Sequence, residues 1–171
     1  MRWVIGVLLA TLALSATALT GISDERDSFT LQISDHLDGQ VYFSVPVKVG
    51  SRVKLQFLHS YDRLPFWELY EVCPNGRFML LKIGGKSLLN GQGFIYSGYR
   101  HLPDGTWEIG EINEAKDTIC FFMGTIGDAD HEVTLSEKTI KLSQRIRPGR
   151  IVRLSLTGGK EPSHGGKSVF Q

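Results

Sequence analysis

Residues Phe57 to Tyr70 read FLHSYDRLPFWELY. Two apolar and aromatic runs meet at a polar turn, Asp62-Arg63-Leu64-Pro65, with His59 before it and Glu68 after it. Symmetric closure, with Asp62 facing Pro65, predicts an antiparallel hairpin. Its register puts Tyr61 opposite Phe66, Ser60 opposite Trp67, His59 opposite Glu68 and Phe57 opposite Tyr70. Side chains alternate between the two faces of a strand, so Leu55, Phe57, His59, Phe66, Glu68, Tyr70 and Val72 are expected on one face. That face is apolar except for one imidazole and one carboxylate. A regular strand sends Ser60 to the other side.

The same alternation recurs on both sides of the hairpin. Phe29, Leu31 and Ile33 form one run, and Val41, Phe43, Val45 and Val47 another after the Asp38-Gly39 turn. Pro74-Asn75-Gly76 is a strong turn, because Asn-Gly readily supplies positive φ. Strands are expected at Arg77–Ile83, Thr106–Ile112, Thr118–Met123, Val133–Leu135, Ile140–Leu142 and Arg150–Leu156. Within the first of these, Phe78 to Leu81 is too continuous for one face to be fully wet. Nine or ten short strands at regular turn spacings predict an all-β, antiparallel sandwich or partly open barrel over residues 23–157. Gly84 to Ser97, rich in glycine and serine, reads as a long loop, and residues 158–171 as a disordered tail.

The N-terminus has the character of a targeting segment. Arg2 precedes an apolar run from Trp3 to Ile22 that contains Ala16-Thr17-Ala18. Residues 1–22 fit either a cleaved secretory signal or a retained single membrane anchor, and both place the body in the periplasm or another extracytoplasmic space. There Cys73 and Cys120 read either as a disulfide or as two buried free thiols. Lys and Arg number 19 against 18 Asp and Glu, a balance that gives no reason to expect nucleic acid.

Several local motifs fail on their own chemistry. Gly84-Gly85-Lys86-Ser87 lacks the earlier glycine of a phosphate loop, where Leu80 stands, and the helix that should follow. Gly91-Gln92-Gly93 lacks the third glycine of a dinucleotide site. Asp128, Asp130 and Glu132 around His131 read as a solvated turn, since a calcium loop needs more oxygen ligands. Arg145, Arg147, Arg150 and Arg153 read as an outer face, with Arg145 and Arg147 on one side of a strand; an acidic partner or anionic lipid is the sharper alternative.

Three readings of His59 and Glu68 stand side by side. They form a buried pair that pins the hairpin register, since pairing relieves the cost of burying either group alone. Or they form a small-ligand or metal site, a third ligand then coming from the long loop or from His101. Or they catalyse, although Ser60 on the opposite face speaks against a Ser-His hydrolase. The candidate ligand- or partner-binding set is His59, Ser60, Arg63, Glu68 and Tyr70, with no catalytic residue, metal site or cofactor expected.

His59, Ser60, Pro65, Glu68 and Tyr70 together resemble the pattern of domain-of-unknown-function family 1850. These are small exported proteins associated with TRAP transporters of the TAXI type. The glycine segment Gly84–Gly93 and the strands of His131–Leu156 match loosely, so the likeness spans about Lys48 to Leu156. The resemblance implies an accessory or binding role in solute uptake, without enzymatic activity, beside the membrane or solute-binding subunits of a transporter. A small-ligand or metal-binding module is the alternative, and a hydrolase-like enzyme the third reading.

Overall fold

A computed structural model describes residues 27–87 and 95–158. The expected export segment, residues 1–22, and the tail from residue 159 lie outside the described residues. No helix among the described residues is long and apolar enough to cross a membrane.

The chain is an all-β sandwich of two antiparallel sheets. In chain order the strands are β1 (Ser28–Asp35), β2 (Val41–Lys48), β3 (Arg52–Leu58), β4 (Pro65–Val72), β5 (Phe78–Gly85) and β6 (Tyr99–His101). They continue with β7 (Trp107–Ile109), β8 (Glu114–Lys116), β9 (Ile119–Phe122), β10 (Glu132–Leu135), β11 (Lys138–Lys141) and β12 (Ile151–Thr157). Strands β6 and β8, three residues each, are the two that alternation did not reveal, being too short to show a period. The smaller sheet has the order β2-β1-β12-β9; the larger runs β11-β10-β3-β4-β5-β7-β6, with β8 also paired to β5.

The core lies between them. Leu31 and Ile33 of β1 and Leu154 of β12 are fully buried, and so are Val53, Val72 and Val133 from the larger sheet. Burying each such side chain stabilises the fold by about 1.5–3 kcal/mol. The run Phe78–Leu81 is resolved by a β-bulge: Leu69 pairs Lys82 while Tyr70 pairs Leu80, so Leu81 is extra. Phe78 and Leu80 point inward before the bulge and Ile83 after it.

The central hairpin has a different register from the symmetric one. Phe57 faces Phe66, Leu55 faces Glu68 and Val53 faces Tyr70. The strands stop at Leu58 and Pro65, and residues 59–64 form a loop closed by His59 N–H on Leu64 O (2.9 Å) and Arg63 N–H on His59 O (2.7 Å). Within it the Asp62 carboxylate accepts the Leu64 N–H at 3.1 Å, and Arg63 takes a left-handed φ of 56°. Glu68 is therefore not the cross-strand partner of His59. The displacement is an even number of residues, so the strand residues keep the predicted face.

Three further expectations change. Gly84 and Gly85 belong to β5 rather than to a loop. Gly84 is required there, because a Cβ would lie 2.4 Å from Cζ2 of Trp67, whose ring crosses it. The remainder of that segment, including Gly91-Gln92-Gly93, falls largely in residues 88–94, outside the described residues. Arg145 and Arg147 do not share a strand face, since the chain turns through a 3-10 segment at Leu142–Gln144. Arg145 instead donates to Tyr42 O (3.1 Å) with its guanidinium over the Phe43 ring, and Arg150 reaches the buried Asp35 (3.2 Å) and Asp38 (3.3 Å). Asp35 also accepts the Leu37 N–H at 2.8 Å, the main reason its carboxyl is held below the usual range.

The two cysteines are free. Cys73 follows β4 in the larger sheet, while Cys120 is in β9 of the smaller one, exposed between the inward-facing Ile119 and Phe121. Neither thiol is fully buried, so they are not the two buried thiols of the alternative reading either.

Candidate functional site

A pocket of about 500 Å³ opens between β9, an edge strand of the smaller sheet, and the β3–β4 hairpin of the larger. Phe57, Phe66, Phe121 and Phe122 supply much of its apolar lining; His59, Ser60, Glu68 and His131 supply the polar groups. This is the composition expected of a small-molecule site: mostly apolar, with a few converging polar groups.

The structure brings four of the five candidate residues to the pocket or its wall. His59 is the first residue past β3, its Nδ1 3.5 Å from the Asp62 carboxylate. Ser60 also lines the pocket, because the chain has left the strand at Leu58 and alternation no longer applies. Ser60 therefore shares the pocket with His59 instead of lying on the opposite face. Glu68 lines the interior. Tyr70, buried behind it, donates its hydroxyl to Glu68 Oε2 at 2.5 Å. Arg63 is set apart from the pocket lining and works as a clasp: its guanidinium donates to Gly127 O and pairs with Asp128 at 3.1 Å. Together with Leu58 N–H on Ala129 O (2.6 Å), this holds the hairpin loop against residues 124–131.

His131 contradicts the solvated-turn reading. It is only 6% exposed. Its ring stacks between Phe57 of the larger sheet (centroids 5.3 Å apart) and Phe121 of the smaller (4.7 Å). Its Nδ1 is buried with no hydrogen-bond partner among the described residues. Burial drives its pKa down to about 4, against a smaller opposing pull from Asp130, so the imidazole is neutral at physiological pH. The signal for it was present in the alternation of Val133 and Leu135, which carried back two residues points His131 inward. Phe121 follows in the same way from Ile119 and Met123.

The electrostatics centre on Glu68. Burial pushes its carboxyl above the usual range, and the Tyr70 hydroxyl and Lys116 pull it partly back. Burial and the neighbouring Glu68 raise the Tyr70 hydroxyl strongly. Lys116 is itself bonded to Glu114 at 2.6 Å, and Glu114 also accepts the Tyr96 hydroxyl at 2.7 Å. That bond is the first cause pushing Tyr96 up to about 12. Among the described residues no group of three or more His, Cys, Asp or Glu side chains is placed to hold a metal ion.

Glu68 is thus coupled to Tyr70. Tyr70→Phe should cost about 1–3 kcal/mol, because a buried carboxylate loses its donor. A double-mutant cycle of Tyr70→Phe with Glu68→Leu should give a coupling of about 0.5–3 kcal/mol in urea unfolding. Strict additivity would show that the bond carries no stability.

No protein-family model, curated protein or solved structure matches this chain.

Proposed function

We propose that this protein is a non-enzymatic binding module that takes a small, largely apolar ligand between β9 and the β3–β4 hairpin. A binding accessory of a solute-uptake system, exported by its N-terminal segment, is such a module in a biological setting. The observation that carries the reading is the pocket, whose lining combines four phenyl rings with two imidazoles and a half-buried carboxylate. Maintaining it works against stability. An ionised carboxylate in a desolvated site disfavours the folded state, and so does an imidazole with an unpaired Nδ1. Side chains kept at such a cost in a concave site are the usual mark of a ligand position. Exposed Tyr61, Leu64 and Ile126, on the two loops joined by Arg63, add apolar surface beside the pocket.

The test uses a neutral fluorescent probe. N-phenyl-1-naphthylamine should bind with enhanced, saturable emission. Ala129→Phe and Ser60→Trp, each placing a ring in the pocket from a different loop, should weaken it at least tenfold. Absence of saturable binding, or binding indifferent to both substitutions, would overturn the reading.

A further inference from the structure

We propose that the ligand of this pocket is an organic monocation, an ammonium or amidinium group on an apolar body, with its charge against Glu68. The inference rests on the reading of the pocket as a ligand site and identifies the chemistry that the site accepts.

Among the described residues the lining contains one carboxylate and no lysine or arginine. Its two imidazoles do not change the sign of the site. His131 is enclosed between two phenyl rings, and His59 lies against the Asp62 carboxylate, its Nδ1 3.5 Å away. The cation that acts on Glu68 from outside the pocket is Lys116, already engaged by Glu114. Among the described residues the hydrogen-bond partner of the Glu68 carboxyl is thus the neutral Tyr70 hydroxyl, which occupies Oε2 alone.

Burial of an ion is tolerated when a partner of opposite sign is present, and here the pocket leaves room for that partner to arrive with the ligand. A charge-assisted N–H···O bond to the carboxylate would be roughly twice as strong as a neutral one. The phenyl rings favour the same class, since their faces attract cations and repel anions. A neutral ligand would leave the carboxylate unpaired. An anion would meet Glu68 at close range in a low-dielectric site, where like charges repel strongly. A protonated Glu68 donating to a neutral oxygen is the competing arrangement, and it predicts no preference for a cation.

Three probes of one size separate these outcomes: 1-naphthylmethylammonium, 1-naphthalenemethanol and 1-naphthoate, each titrated into the full-length protein by calorimetry at pH 7.5. The expected order is cation, alcohol, anion, with the cation at least tenfold tighter than the alcohol. Glu68→Gln keeps an acceptor for the Tyr70 hydroxyl while removing the charge, and should bring cation and alcohol within threefold of each other. Alcohol binding as tightly as the cation in the unaltered protein, or a cation preference that survives in Glu68→Gln, would overturn the inference. The order among the three probes needs no variant, so the test holds even if Glu68→Gln does not fold. Binding of N-phenyl-1-naphthylamine without any cation preference would sink this inference alone; failure of that neutral probe to bind would remove the pocket reading beneath it.

Discussion

Lowering the pH from 7 to 4 should remove about 2–3 kcal/mol of stability through His131. Its folded pKa, about 4, lies below the 6.5 of an ordinary imidazole because the ring is desolvated between Phe57 and Phe121. Between those two values the unfolded chain binds a proton that the folded chain refuses. The stabilising contribution is therefore complete above about pH 6.5 and is lost as the pH falls towards 4. Other groups titrate differently. Glu68, raised by burial, is relieved of a buried charge on protonation and so opposes the loss. Asp35 and Glu114, both lowered, begin to lose their contributions as the pH falls through the ordinary carboxyl values of 3.8 and 4.5, a loss common to the unaltered protein and a His131 variant. His131→Phe isolates the imidazole, because a phenyl ring can take its place in the stack without titrating. Urea unfolding of both proteins at pH 7, 5.5 and 4 is the measurement. The unaltered protein should lose 2–3 kcal/mol more than the variant; parallel curves would show that His131 titrates normally.

That stack also marks the limit of what the sequence could show. Phe57, Phe121 and His131 come from β3, β9 and the approach to β10, with no local spacing relating them. Their meeting is a consequence of how two sheets close on one another. What alternation does specify is which way a side chain points. The hairpin shows this well. Its register differs from the symmetric one by four residues, yet Leu55, Phe57, Phe66, Glu68, Tyr70 and Val72 keep the expected face, because an even displacement preserves parity. The pairing partner itself was set by the loop: the Asp62 carboxylate on Leu64 N–H, the left-handed Arg63 and the His59–Leu64 closure. Once the chain leaves a strand, alternation fails altogether, as Ser60 demonstrates. Glu68 could be singled out in the sequence as an ionisable group on an apolar face, but its partner could not. Tyr70, two residues along the same strand and on the same face, bonds it instead.

Phe66→Ala should cost about 3–5 kcal/mol, the largest loss expected from any single change around the pocket. Phe66 is 3% exposed, its ring 5.2 Å from Phe57 and 5.9 Å from Trp107. Gly85, its partner on β5, offers no side chain to fill the gap. Truncation therefore leaves a cavity bounded by rings that cannot collapse into it. The indole N–H of Trp107 is tied to Ser87 O at 2.6 Å, which restrains that ring further. Phe122 provides the contrast within the same pocket. At 68% exposed it has little burial to lose, so Phe122→Ala should change stability by no more than about 0.5 kcal/mol. If the pocket is a binding site, the order reverses for ligand affinity: Phe122→Ala should weaken N-phenyl-1-naphthylamine severalfold while the fold is untouched. Measuring unfolding and probe binding on both variants separates the floor of the pocket from its rim. Equal stability losses for the two changes would mean that Phe122 is covered in solution, and its place at the mouth would have to be given up. An unchanged probe affinity in Phe122→Ala would leave the ring outside the ligand's reach and confine the binding surface to the interior walls around Glu68.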